Sequence, residues 1–405
     1  MELRDTQKWD ADFLQAMSAK TDSYAEQIIS DIITDKGFTE LRNLFTVLSN
    51  DHEEVTAASN LPQPVIDYFN AEMNLPAWAD ETKINLAQQA YVRFAPQIAL
   101  ILNFKALPLC YACKNGAKAL AYTGRLTETK NKDVAKAARR LFETSQMVIN
   151  VMSPGGLLPK GKGIVTIKKV RLYHAAIRTY LMQPNKGHGS AWNSEEFGAP
   201  INQEEMAGTL MAFSALVIDG LQHVGAKLTE EEKDAYIHCW NIVGHFIGLD
   251  PALYPTTYQN GWNLGIAIIT KNKDESEDGK ELTKTLLDFS ATFFSANLFD
   301  KLVLGFLPHY IIQYLLKDIS QKTDTDLLKL LGADKKLSFF SRLKGKIFIK
   351  IVTAVSKEEN RDALIRRIFS KVAQKFLQGM IDQQLKTYNT AFYIPPSLQA
   401  SWKMN

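Results

Sequence analysis

Arg171, His174 and Arg178 fall three and four residues apart in the run Lys169-Val-Arg-Leu-Tyr-His-Ala-Ala-Ile-Arg178. On a helix this spacing stacks the three side chains on one face, between Ile167 and Leu181. Ile164, Val165, Val170, Leu172 and Ile177 make the remaining circumference largely apolar, so the helix belongs mostly inside the protein. Two guanidinium groups and an imidazole placed there need partners. An anionic ligand that carries a metal would satisfy all three, and a haem has that chemistry: imidazole ligates iron while guanidinium groups pair with propionates. Arginines bound to carboxylates or helix carbonyls, beside an ordinary core histidine, would satisfy them as well.

A second constellation precedes it. Arg140 and Thr144 are four residues apart, in line with Ala137, Val148 and Val151, which puts two hydrogen-bonding groups on an otherwise apolar helix face. Such a pair can orient a ligand or bound oxygen, with the small Ala137 leaving room beside it. The competing reading is a surface pair of Arg140 with Glu143 and a Thr144 hydroxyl bonded back to its own helix.

Other chemistry-bearing residues lack company. Cys110 and Cys113 have metal or redox spacing, but no second pair completes a zinc site and no βαβ pattern supports a thioredoxin-like motif, so they read as packed, reduced thiols. His238 and His245 share a helix face without the Glu-x-x-His spacing of a di-iron pair, and read as structural. His52, His188, His223 and His309 have no partner that sequence identifies. No phosphate-cradling glycine motif and no nucleophile elbow is found.

The elements that must position these residues are helical. Apolar residues recur at three- and four-residue spacing with little two-residue alternation, which predicts an all-α fold. Helices are expected from about Val134 to Val151, from the glycines of Lys160-Gly-Lys-Gly163 to about Met182, from Asn202 to about Gly225, and from the capping box Thr229-Glu-Glu-Glu232 toward Gly248. Ser153-Pro-Gly-Gly156 separates the first two and sets them antiparallel. Residues 184–200 and 271–280 read as loops, and Leu282–Asp318 and Leu337–Thr387 as further helices, the latter broken near Glu358-Glu359.

Composition bounds the rest. The 405 residues, 46% hydrophobic and 22% charged, suit one large core, and a formal charge of +3 is far from the concentrated positive field of a nucleic-acid binder. Residues 1–100 carry 7 Lys/Arg against 16 Asp/Glu, whereas 334–405 carry 14 against 5. Three cysteines point to a reducing compartment, and the acidic first ten residues show no secretory signal. No uncharged apolar run reaches the roughly 18 residues of a spanning helix, so a cytoplasmic protein, at most attached to a membrane surface, is expected.

Taken together, Arg140-Leu-Phe-Glu-Thr144, Ser153-Pro-Gly-Gly156 and Val170-Arg-Leu-Tyr-His-Ala-Ala-Ile-Arg178 resemble the catalytic domain of the latex-clearing rubber oxygenases and MpaB-like oxygenases. Pro200-Ile-Asn-Gln-Glu-Glu205, Ala212-Phe213 with Asp219-Gly220, and Tyr236-Ile-His-Cys-Trp240 with Val243-Gly244 extend the likeness over roughly Tyr122 to Gly248. The resemblance implies a globin-like helical core around a buried haem b. His174 would be the proximal iron ligand, with Arg171 and Arg178 toward the cofactor and Arg140 and Thr144 on the distal side near oxygen. Latex-clearing enzymes have a lysine just before that threonine, able to cap the iron. Glu143 stands there in this chain and cannot act as the same neutral amine, which leaves it open to a base role. No counterpart to the glutamate that serves as base in some relatives is found around Gly124.

The expected organisation is a haem-binding core over 111–270 between helical extensions at 1–110 and 271–405. The function implied is a haem-dependent oxygenase that brings O2 to an apolar, isoprenoid or lipid-like substrate. The alternatives are a haem protein that senses or stores a diatomic ligand, and a cofactor-free helical binding protein. Sequence leaves the oligomeric state and the electron donor open. Leu337–Val352 mixes aromatics and aliphatics with Lys344, Lys346 and Lys350; it reads either as a peripheral contact with an anionic bilayer or as a helix packed on the core with its lysines in water.

Overall fold

Helices make up the regular structure of the residues described, 9–36, 61–71, 73–126, 133–159, 161–182, 192–293 and 305–357 of a computed structural model. The β-type contact among them is an isolated bridge between Cys113 and Lys273. In chain order the helices are α1 (Ala11–Ser18), α2 (Ser23–Lys36), α3 (Gln63–Asn70), α4 (Glu81–Ile101), α5 (Leu107–Ala112), α6 (Lys114–Leu126), α7 (Asp133–Met152), α8 (Lys162–Met182) and α9 (Ser194–Phe197). They continue as α10 (Gln203–Phe213), α11 (Ala215–His223), α12 (Glu230–Ile247), α13 (Tyr258–Asn272), α14 (Glu277–Phe293), α15 (Leu307–Lys322), α16 (Leu327–Leu330) and α17 (Phe339–Ser356).

The helix starts follow their caps. Thr229 and Glu232 form the expected capping box at the head of α12, and Gly248, in the left-handed conformation at φ 84°, closes its other end. Between α7 and α8 the backbones approach so closely that a Cβ on Gly156 would strike the Asn150 carbonyl and one on Gly163 would lie 2.6 Å from the Gly156 carbonyl. Glycine at these two positions lets the chain reverse at once, and Asn150 then reaches Thr166 across the pair at 2.9 Å.

Three boundaries differ from the sequence expectation. The helix expected from Asn202 to Gly225 breaks at Ser214, whose hydroxyl bonds back to the Leu210 carbonyl at 2.7 Å, so it becomes α10 and α11. Helix α13 runs to Asn272 and α14 opens at Glu277, where the Ser276 hydroxyl accepts the Gly279 N–H at 3.0 Å, so the charged loop shrinks to 273–276. Part of the 184–200 loop is the short helix α9, capped by Asn193. The expected domain limits at 110 and 270 fall inside α5 and α13, and one apolar cluster draws side chains from Trp9 to Val352. The break at Glu358-Glu359 and the rest of that segment lie outside the described residues.

Helix α4 is kinked. Pro96 lacks the N–H that would bond one turn back, and Phe94 leaves helical geometry at φ −114°, ψ 15°. A single π-helical turn, Leu102–Ala106, then joins α4 to α5. The whole run Glu81–Ala112 is long and apolar enough to cross a membrane by length and composition, yet it is mostly buried within the fold, Lys105 included. That makes it a core element of the kind soluble folds also use.

Helix α8 is the centre of the site. It packs against α2, α7 and α12. Its contact with α2 is apolar: Ala25, Ile28, Ile29 and Ile32, with Val65, Tyr68 and Phe69 of α3, cover Leu172, Ala175 and Ala176. Three buried isoleucines at roughly 1.5–3 kcal/mol each outweigh any ion pair across the same interface, since buried pairs come near break-even against desolvation. The apolar face therefore docks α2, and its charged groups fix the orientation.

Candidate functional site

The face of α8 that carries His174 meets the start of α2. Arg171 donates through Nε and Nη2 to Oδ2 and Oδ1 of Asp22, at 2.6 and 2.8 Å. Arg178 donates through Nε to Glu26 at 2.5 Å and through Nη1 to the Ile201 carbonyl at 2.9 Å. Of the two readings left open by the sequence, arginines held by carboxylates is what the structure contains. The pairing of Arg171 and Arg178 with a cofactor's propionates therefore has no free bidentate edge to rest on. One donor is unspent: Nη2 of Arg178 is buried without a hydrogen-bond partner.

His174 has the same condition. Its Nδ1 is buried and unpartnered. Burial, and then the Arg178 guanidinium one turn on, push the imidazole pKa down to about 3, with Asp22 pulling weakly the other way. The ring is therefore neutral at physiological pH, the form in which imidazole ligates metals. An unpartnered neutral nitrogen and an unspent guanidinium N–H are the groups that would hold a haem, the imidazole at its iron and the guanidinium at a propionate. Arg171, committed to Asp22, fits a positioning role instead.

Helix α7, antiparallel to α8, carries the second constellation. Asn150 meets Thr166, and stepping back along the antiparallel pair sets Thr144 level with Leu172 and Arg140 with Ala176, so His174 falls at a height between them. Thr144 is partly buried, in line with the buried Val148 and Val151. Glu143 is exposed and does not share that face. The backbone of Arg140 lies on α7, but its side chain lies outside the described residues.

Beside this face is the turn of the Pro200-Ile-Asn-Gln-Glu-Glu205 stretch, to which sequence gave no chemical role. Ile201, β-branched, sits at φ 54°, a left-handed conformation that bulky residues avoid. Its N–H donates to Glu205 Oε2 at 2.7 Å while its carbonyl accepts Arg178, so the strained residue is clamped from both sides. Burial raises the Glu205 pKa to about 7, although the backbone N–H groups of Ile201 and Asn202 work against that shift. Sequence placed Glu205 in the Pro200-Ile-Asn-Gln-Glu-Glu205 stretch of the family likeness and gave it no role. Asp22 and Glu26, four apart at the head of α2, were equally silent, because nothing local names a partner some 150 positions away.

Most remaining candidates resolve as packing, although His309 on α15 also has a buried Nδ1 without a partner. Cys110 and Cys113 are free thiols whose pKa values burial pushes up, to about 12 for Cys110, and Cys113 donates to the Leu109 carbonyl at 3.6 Å. His238 accepts the Asp80 N–H at 2.9 Å, and Trp78 stands edge-on to both His238 and His245. His223 pairs with Asp318 at 3.0 Å. His52 and His188 lie outside the described residues. Among the described residues no group of three or more His, Cys, Asp or Glu is arranged to hold a metal ion. A second buried charge on a family-like motif does emerge: Lys105, in the π turn, pairs with Asp219. Next to it Gly220 gives way to Ile101, which a Cβ would strike.

This all-α arrangement is one already seen in solved structures. A latex clearing protein in its closed state superimposes with a TM-score of 0.67 over 90% of each chain, at 17% identity, a likeness of fold. Residues 89–325 match the catalytic domain described as ER-bound oxygenase mpaB/B'/rubber oxygenase, and the chain belongs to that family. The rubber oxygenase of Streptomyces sp. (strain K30) is 22% identical over 233 residues, 57% of this chain and 54% of that protein, so the alignment spans about half of the relative's length.

Proposed function

We propose that this chain is a haem b-dependent oxygenase that uses O2 on an apolar substrate of isoprenoid or lipid-like character. The observation that carries the reading is His174: a half-buried, neutral imidazole whose Nδ1 is buried without a partner, on the helix that bears the family-like motif. When bound, a haem would supply the iron chemistry by which O2 attacks an electron-rich double bond. The protein's own part is positional. His174 would hold the group from one side, and Arg178 would offer its free Nη2 to a propionate. Arg140 and Thr144 of α7 would orient oxygen on the other side. Asp22 and Glu26 pair with the two arginines, and the charge of Arg178 that the imidazole still feels helps to keep it neutral.

A second reading has an observation in its favour. Because both arginines are already held by α2, a cofactor-free helical binding protein would need no further partner for most of this face. Oxygen uptake separates the two. The reduced, purified protein given a prenyl lipid is expected to consume O2 and yield carbonyl products, and Arg140→Ala is expected to slow this about a hundredfold while cofactor content stays constant. A protein that neither binds CO nor takes up O2 would exclude the oxygenase.

A further inference from the structure

Helix α17 is amphipathic in an unusual sense, with a second apolar stripe that nothing among the described residues covers. Gly345, Ile349, Val352 and Ser356 form its buried side. Gly345 lies so close to the Tyr310 ring of α15 that a Cβ would strike it, and Ser356 accepts from Gln97 of α4 at 3.3 Å. At 100° per residue these positions centre on one direction, and Phe339, Phe340, Leu343 and Ile347 centre on nearly the opposite one. Those four side chains are 67%, 72%, 47% and 52% exposed, and they are most of the exposed large hydrophobics among the described residues. Scattered apolar residues at a surface need no explanation, but a contiguous stripe on the outward side of one helix does.

Charge decides what would cover it. Arg342 and Lys346 flank the stripe on one edge and Lys344 on the other, with Lys350 following along it, and all four are exposed. From Lys335 to Lys357 the chain has no Asp or Glu. A second copy of this helix would set like charges against one another, whereas a protein surface that accepted both features would need an acidic rim around an apolar strip. We infer that α17 lies on an anionic lipid bilayer, with Phe339, Phe340, Leu343 and Ile347 entering the headgroup boundary and Arg342, Lys344, Lys346 and Lys350 meeting acidic headgroups. The surface does not involve His174, so it stands apart from the proposed reaction, while it would place the protein where apolar substrates dissolve.

The test is co-sedimentation of the full chain with vesicles of phosphatidylcholine mixed with phosphatidylglycerol, against pure phosphatidylcholine. Binding to the acidic vesicles is expected to fall as salt is raised. Phe339→Ser/Phe340→Ser and, separately, Lys344→Gln/Lys346→Gln are each expected to weaken it by roughly tenfold or more, with far-UV circular dichroism unchanged. His174→Ala is expected to bind like the unaltered protein. No binding by the unaltered chain, equal binding to neutral vesicles, or binding by both double variants as strong as that of the unaltered chain would overturn the inference. So would a dimer in sedimentation that only the Phe339→Ser/Phe340→Ser variant dissolves while vesicle binding persists, since the stripe would then be a contact between copies.

Discussion

Arg171 and Asp22, 149 positions apart, meet in a two-pronged hydrogen-bonded ion pair that fastens the head of α2 to the helix bearing His174. Asp22 is almost fully buried and Arg171 nearly so. Asp22→Ala would leave a guanidinium that cannot shed its proton in a low-dielectric setting. The expected loss is about 3 kcal/mol, read as a lower urea midpoint with an unchanged slope. Adding Arg171→Met to Asp22→Ala is expected to recover most of it, because the desolvated charge goes with its partner.

Gly248 tests the same contact from the other side. Its φ of 84° disfavours any side chain, and a Cβ would lie 2.6 Å from Arg171 Nε and closer still to Asp22. Gly248→Ala is expected to cost more than the roughly 1 kcal/mol of the left-handed conformation alone, and on the order of 3 kcal/mol in total. Thermal unfolding measures it, and a change under 1 kcal/mol would mean the pair yields freely.

Two groups near the site make stability depend on pH in opposite senses. His174 is held neutral, with its pKa lowered from 6.5 to about 3. The unfolded chain then binds the extra proton first, so this contribution is intact above 6.5 and is lost as pH falls toward 3. Glu205, raised from 4.5 to about 7, has the reverse effect: its contribution is intact below 4.5 and is lost as pH rises through 7. Glu205→Gln, which keeps an acceptor for the Ile201 N–H, is expected to flatten the decline between pH 4.5 and 7. It should gain on the order of 2 kcal/mol relative to the unaltered chain at pH 8. Urea titrations across that range check it, and an unchanged profile would place the charge elsewhere.

Lys105 has a fully buried side chain and pairs with a partly exposed Asp219. Asp219→Ala is expected to destabilise by roughly 3–5 kcal/mol and Lys105→Met by much less, since the second removes the charge and keeps the volume. Equal losses would mean that the pair itself, and not the stranded ammonium, carries the energy.

What the sequence made legible was local. The capping box of α12, the glycine reversal between α7 and α8, and the shared face of Arg171, His174 and Arg178 all follow from residues within a few positions of one another, and each is present. What it withheld was long-range or strained. Asp22 and Glu26 satisfy the arginines from the far end of the chain, and an acid four residues from another acid gives no hint of its partner. The Ile201 clamp depends on a backbone conformation that its residue type argues against. The π turn at Leu102–Ala106 has no cue of its own beyond the prolines that bracket it, Pro96 and Pro108. Glu143 is one place from Thr144 in sequence but 100° away on the helix, and it is exposed.

The most direct measurement is the absorption spectrum of the purified chain after incubation with haem, compared with that of His174→Ala. A Soret band at one haem per chain that disappears in the variant, with helical content retained, is the expected result. An identical band in His174→Ala, or no band in either protein, would contradict the assignment of His174 as the iron ligand.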